Sequence, residues 1–315
     1  MSIFPTKILL ATDGSKDAEM AVTAAINLAN NTHSELHILS VGGGYPTYDV
    51  RVPEVAEELR RQAQDIIDDQ VEKIEDAGGE VAQAHLKLAE GHPGFEHHPS
   101  DDIVRLAEEI AAGLIVVGSR GLGGIRRALM GSVSDAVVRH AHCPVMVVRG
   151  EPVSFPTKIL LATDGSKDAQ LATTTAADLA KSTGSDLHVV SVFPASAYVH
   201  SYYEDHFPEA AERLRREARK ERQEMLDEQV DRVQEAGGDV AQTHIRTGET
   251  AEEIVTLAEK MGAGLIVMGS KGLGGIRRAL IGSVSAAVVA HAHCPVMVVR
   301  PEKERSVEHD EDFLT

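Results

Sequence analysis

The chain has 315 residues, 43% hydrophobic and only 3% aromatic, and its 31 basic and 49 acidic side chains leave a net charge of −18 with histidine neutral. That length fits two domains of about 150 residues, each able to bury a core, and so acidic a surface repels phosphate backbones and anionic headgroups, which disfavours nucleic-acid binding. The longest apolar runs, such as Leu114 to Val117 and Pro144 to Val148, fall far short of the roughly 18 residues of a membrane span.

No signal peptide is expected before Lys7, and Cys143 and Cys294 occupy equivalent places rather than a disulfide framework. A soluble, cytoplasmic protein is expected. The equivalence is part of a larger repeat. FPTKILLATDGSKDA runs from Phe4 to Ala18 and recurs unchanged from Phe155 to Ala169, and HAHCPVMVVR at His140 to Arg149 recurs at His291 to Arg300. The register slips between these blocks. The second copy is longer before Gln229, the match of Gln70, and the first regains the length in Gly91 to Asp101, GHPGFEHHPSD, where the second has only Thr247-Gly248-Glu249. Two domains, 1–150 and 151–302, are expected, followed by a charged, mobile tail over 303–315.

In chain order, Lys7 to Ala11 reads as a strand that empties into Thr12-Asp13-Gly14-Ser15, a turn and helix start. Ala18, Ala21, Val22, Ala25, Ile26, Leu28 and Ala29 recur at near-helical spacing up to Asn30-Asn31, before a second strand from Leu36 to Val41. Val55, Leu59, Ile66 and Ile74 mark a long second helix ended by Gly78-Gly79, and Val81 to Leu86 is the third strand. After the variable loop come a third helix at about Ile103 to Ala112, a fourth strand at Leu114 to Val117, a fourth helix through Val133 to Val138 and a fifth strand at Pro144 to Val148. Strands apolar on both faces and alternating with helices call for a parallel sheet covered on two sides, an open α/β domain built twice. The long charged helices, Pro53 to Ala77 and Glu209 to Ala236, read as exposed faces without chemistry.

The stretch that carries chemistry follows the fourth strand. Gly118 to Ser134 reads GSRGLGGIRRALMGSVS and Gly269 to Ser285 reads GSKGLGGIRRALIGSVS. Glycines at 118, 121, 123, 124 and 131 let an anion approach the backbone amides, and Gly131-Ser132 opens a helix whose first N–H groups have no internal partner. The spacing is neither a Walker loop nor a dinucleotide fingerprint. It is G-x2-G-x9-G-[S/T] after an apolar strand, which closely resembles the ATP-binding motif of the universal stress protein family, in two copies over nearly the whole chain.

The resemblance implies two Rossmann-like five-stranded sheets of order 3-2-1-4-5, with a crevice where the order reverses between strands one and four. It implies that Asp13, beside Ala11 and Thr12, takes the ribose, that Val41 meets adenine through its backbone, and that Val117-Gly118 lies on the ribose side. Gly121, Gly131, Ser132, Val133 and Ser134 would hold the phosphates of ATP, with Mg²⁺ on them. The second copy offers Ala162, Thr163, Asp164, Val192, Met268, Gly269, Gly272, Gly282, Ser283, Val284 and Ser285. It further implies an internal pseudo-dimer through the fifth strands, which would otherwise be exposed apolar edges, so that any further homodimer needs another surface.

Simpler readings stand beside these. Asp13 with Ser15, or Ser132, could be helix caps with no ligand. Arg126-Arg127 and Arg277-Arg278 could neutralise phosphate or be solvated. His140, His142 and Cys143 read as a helix-end histidine and a packed cysteine rather than a metal site, and His92, His97 and His98 fall in a surface loop that could bind metal or cover the crevice. No Gly-x-Ser-x-Gly elbow, no H-E-x-x-H helix and no nucleophile with its base is present. An ATP-binding, nucleotide-dependent stress regulator with an unidentified protein partner and without efficient catalysis is expected; a slow ATPase and an interaction scaffold with empty cradles are the rivals.

Overall fold

The apolar runs become strands whose two faces feed two cores. A computed structural model of the chain describes residues 3–42, 53–88, 98–121, 130–150, 153–194, 206–273 and 281–301. The first half runs β1 (Lys7–Thr12), α1 (Lys16–Thr32), β2 (Glu35–Gly42), α2 (Pro53–Asp76), β3 (Val81–Leu88), α3 (Pro99–Glu109), β4 (Leu114–Gly118), α4 (Ser132–His140) and β5 (Val145–Val148). The second repeats it as β6 (Lys158–Ala162), α5 (Lys167–Thr183), β7 (Asp186–Pro194), α6 (Pro208–Glu235), β8 (Gln242–Gly248), α7 (Thr250–Met261), β9 (Leu265–Gly269), α8 (Ser283–His291) and β10 (Val296–Val299).

Alternation along β1 shows how the layers form. Ile8 and Leu10 join a core with α1, α2, α5 and α6, whereas Leu9 joins a second core with α3, α4, α7 and α8. All three side chains are fully buried. Each is worth about 1.5–3 kcal/mol of apolar burial, so a strand buried on both faces is held from both sides.

The strands form one ten-stranded sheet in the order β3-β2-β1-β4-β5-β10-β9-β6-β7-β8. Within each half the neighbours are parallel, and β1 lies between β2 and β4 with Thr12 beside Ser40 and Ala11 beside Val117. The halves meet at β5 and β10, which pair antiparallel with Met146 opposite Met297. The reversal of strand order between β1 and β4, and its twin between β6 and β9, opens a crevice at the carboxyl ends of the strands.

Helix three differs at both ends from the expected Ile103 to Ala112, closing at Glu109 with Ile110 as its C-cap. Helix α3 begins at Pro99 rather than near Ile103, because His98 caps it, proline sits in its first turn and Asp101 and Asp102 complement its positive end. Pro99 to Asp101 therefore belong to the helix and not to the loop. His92, His97, Gly123, Gly124, Arg126, Arg127, Arg277, Arg278 and the tail over 303–315 lie outside the described residues.

Candidate functional site

Asp13 leaves β1 in a tight turn that uses its own side chains. The Ser15 N–H donates to Asp13 Oδ1 at 3.0 Å and the Gly14 N–H to Thr12 Oγ1 at 3.2 Å, with Gly14 at φ +72°. In the second half Ser166 donates to Asp164 Oδ1 at 3.0 Å and Gly165 to Thr163 Oγ1 at 3.3 Å. Thr12 and Thr163 are buried and consumed by the turn. One carboxylate oxygen of each aspartate is thus structural.

The other oxygen faces the bend leaving the fourth strand. A Cβ added to Gly121 would stand 2.2 Å from Asp13 Oδ2, and one added to Gly272 would stand 2.4 Å from Asp164 Oδ2. Only a residue without a side chain permits that approach. In the second half the contact is closed by a hydrogen bond, the Leu273 N–H donating to Asp164 Oδ2 at 2.8 Å. Aspartate and bend, far apart in sequence, therefore converge in both halves.

Helix capping falls elsewhere. Ser15 accepts the Ala18 N–H at 3.3 Å and donates to the Arg120 carbonyl at 3.3 Å, while Ser166 does the same with Ala169 and with Lys271, at 3.3 and 3.1 Å. Each serine starts a helix and ties its N-terminus to the bend. Asp17 accepts the Ser119 hydroxyl at 2.7 Å, and Asp168 accepts the Ser270 hydroxyl at 2.6 Å and the Lys271 N–H at 3.1 Å. Sequence reasoning missed Ser119, Asp17 and their twins, since only proximity across the sheet reveals them. The same proximity explains Gly118, where a Cβ would meet the Asp17 carbonyl at 2.8 Å.

The far wall is the start of α4. Its N-cap is Gly131, not Ser132, and no side chain caps it; Gly282 begins α8 in the same way. The Gly131 N–H itself donates to the Ser119 carbonyl at 2.8 Å, and Gly282 to Ser270 at 2.8 Å. Ser132 and Ser283, the first helical residues, are exposed at the mouth, and Val133 and Val284 are half-buried beside them. Ser134 and Ser285 face inward. Their hydroxyls donate to the carbonyls of Gly118 at 2.7 Å and Gly269 at 2.9 Å, so these hydrogens brace strand end against helix start rather than point to a ligand.

Val41, half-buried, lies near the end of β2, one residue beyond the Ser40 partner of Thr12, and Val192, buried, holds that place on β7. Ala11, Val117, Ala162 and Met268 form the floor with their side chains in the second core. The backbone at the strand ends is thus what faces the crevice.

The histidine and cysteine segment has other partners. His142 Nε2 lies 2.7 Å from Glu108 and His291 Nδ1 lies 2.8 Å from the Ala287 carbonyl. Burial pushes the Cys294 thiol up to about 12. Among the described residues no group of three His, Cys, Asp or Glu side chains could hold a metal ion, and no helix is long and apolar enough to cross a membrane.

The description "Universal stress protein family" fits residues 5–149 and again 156–300. A Staphylococcus aureus (strain USA300) protein named for that family is 35% identical over 156 residues, spanning 48% of this chain and 90% of that one. Among solved structures, a universal stress protein from Archaeoglobus fulgidus DSM 4304 superposes with a TM-score of 0.65 at 25% identity, over 93% of this chain and 98% of that one. One from Pseudomonas aeruginosa UCBPP-PA14 gives 0.60 at 21% identity, over 95% and 94%, a likeness of fold.

Proposed function

From the premise that the chain belongs to the universal stress protein family, with one family match in each half, we propose that each half binds ATP in the crevice between its first and fourth strands. The protein then acts as a nucleotide-dependent regulator in the stress response, without efficient turnover. The observation that carries this reading is the twofold convergence of an aspartate oxygen, a glycine that cannot bear a Cβ and a helix that starts on an uncapped glycine. A carboxylate suits ribose hydroxyls, and the free amides and positive end of a helix suit phosphate.

In this arrangement Asp13 Oδ2 and Asp164 Oδ2 accept from the ribose, and the backbone at Val41 and Val192 meets the base. The amides at the starts of α4 and α8 take the phosphates, with Ser132 and Ser283 at the mouth. Magnesium enters only as the companion of the triphosphate, since no described side-chain set would hold it alone. The domains correspond to residues 1–150 and 151–302.

Calorimetry with ATP, ADP and AMP tests the reading. Heat of binding is expected for the parent protein and none for the double variant Gly131→Val, Gly282→Val. A Cβ at Gly131 meets its nearest atoms at 3.4 Å, an ordinary contact, whereas one at Gly282 meets the Ser270 carbonyl at 3.2 Å, which must give by a few tenths of an ångström, so a melting curve of the double variant accompanies the calorimetry. Absence of heat with all three nucleotides would leave the scaffold reading, which the Leu273 bond to Asp164 favours by already occupying the carboxylate. Steady multiple turnover of ATP would instead make the protein an ATPase.

A further inference from the structure

Arg149 and Arg300 directly follow the two copies of the fifth strand, and each reaches into the other half. Arg149 Nη1 donates to the Val289 carbonyl at 3.2 Å, to Ala292 at 3.4 Å and to Ala290. Those carbonyls close α8. In return Arg300 Nη1 donates to Arg139 at 3.2 Å and Ala141 at 2.6 Å, and its Nη2 to Val138, the carbonyls that close α4. The exchange is reciprocal across the β5–β10 seam.

Both helices have only nine residues, so the carbonyls left without intrahelical partners are a large share of each. Neither ends in the left-handed residue that often satisfies them: the C-caps Ala141 and Ala292 are extended, at ψ 148° and 145°. The arginine forks supply the missing donors and set a cation at the negative end of the helix. Burial lowers the basicity of both guanidinium groups, with Arg120 opposing and Asp17 supporting the charge on Arg149, and Cys143 and Asp168 supporting that on Arg300. A half-buried cation with carbonyl partners in the opposite half is a specific contact and not a fully solvated one.

We infer that Arg149 and Arg300 are positioning residues that act in trans, each fixing the helix whose opposite end builds the phosphate cradle of the other half. Arg300 holds α4 and thereby the first cradle; Arg149 holds α8 and the second. This rests on the nucleotide reading of the cradles for its ligand but not for its geometry. A short rod gripped at one end keeps the amides at its other end aimed, and a rod released there frays.

The test uses the full chain carrying Gly282→Val, which leaves the first cradle to bind. Adding Arg300→Gln is expected to weaken ATP about threefold, the size of a helix-end charge effect, and to leave adenosine unchanged. Adding Arg149→Gln is expected to weaken ATP less than Arg300→Gln does and to leave adenosine unchanged, although Arg149 belongs to the half being measured and its charge reaches Arg120 and Asp17 at the first bend. An Arg149→Gln loss with an unaffected Arg300→Gln variant would overturn the inference, as would equal losses for ATP and adenosine. Amide exchange in the ligand-free chain supplies the second arm: Arg300→Gln should speed exchange in α4 and spare α8. Should the parent bind no nucleotide, the functional reading fails while this arm still decides the positioning role, and protection unchanged in α4 sinks it. Should Arg300→Gln not fold, Arg300→Lys, which keeps the charge and loses the fork, is expected to shift α4 in the same direction by less.

Discussion

At the scale of single residues, the aspartates divide their labour between oxygens. Asp13 Oδ1 fixes the turn after β1 and Oδ2 faces Gly121, so Gly121→Ala, with its twin Gly272→Ala, should drive the flexible carboxylate end away while leaving the turn intact. Nucleotide affinity is expected to fall about tenfold, the loss of a charge-assisted hydrogen bond, with little change in thermal midpoint; calorimetry beside a melting curve checks both. A second residue-level feature has no place in the crevice. His37 Nδ1 lies 3.2 Å from His85 Nε2, and His188 Nδ1 lies 3.3 Å from His244 Nε2, one pair on each outer strand pair of the sheet. Burial, above all, lowers His85, His188 and His244, with Lys87, Lys158 and Arg246 pushing the same way and Glu109 and Asp186 opposing. Folded values below the ordinary one of about 6.5 mean that the unfolded chain takes protons first. The stability of the neutral pairs is therefore full above that value, erodes as the pH falls through it, and is gone below the depressed values. The urea midpoint should drop from pH 7.5 to pH 5, and less steeply in His85→Gln, His244→Gln; a slope unchanged by the double variant would place the proton uptake elsewhere.

At the scale of elements, the start of α4 is held by Ser134 and its end by Arg300. Ser134→Ala leaves the Gly118 carbonyl without its buried donor, a loss of about 1–3 kcal/mol in urea unfolding, whereas Ser132→Ala, at an exposed site with no cap bond, should change stability by less than about 0.5 kcal/mol. The reverse ranking would show that Ser132 and not Gly131 is the working cap. The seam makes a parallel demand. Gly150 has φ +66°, and a Cβ there would fall 2.0 Å from the His293 carbonyl, so Gly150→Ala should cost about 2 kcal/mol or more through strain and the forced separation of the halves.

For the molecule as a whole, the sheet runs unbroken from β3 to β8 because β5 and β10 close each other's edge. Residues 1–150 expressed alone would expose the Val145–Val148 edge, all four residues of which are buried in the whole chain. They are expected to dimerise through that strand, and Val147→Lys should return a monomer; light scattering distinguishes the two. A monomeric parent fragment would mean that the seam adds little beyond the covalent link.

The sequence by itself determined the duplicated α/β plan, the strand limits to within a residue or two, and the glycine spacing that marks the bend, since hydrophobic period and backbone permissiveness are local properties of the chain. Even the family was legible from G-x2-G-x9-G-[S/T]. Only the tertiary structure decided that Ser15 rather than Asp13 caps α1, that Gly131 rather than Ser132 caps α4, and that the Ser134 hydroxyl is committed to Gly118. Arg149 and Arg300 read as the ordinary charged ends of apolar strands until the antiparallel seam brought each against the last carbonyls of the opposite helix. The reason is physical: a hydrogen bond is chosen by which donors and acceptors packing leaves within about 3 Å of one another, and that competition is settled in three dimensions, for the two arginines between segments more than a hundred residues apart, where no local pattern records it.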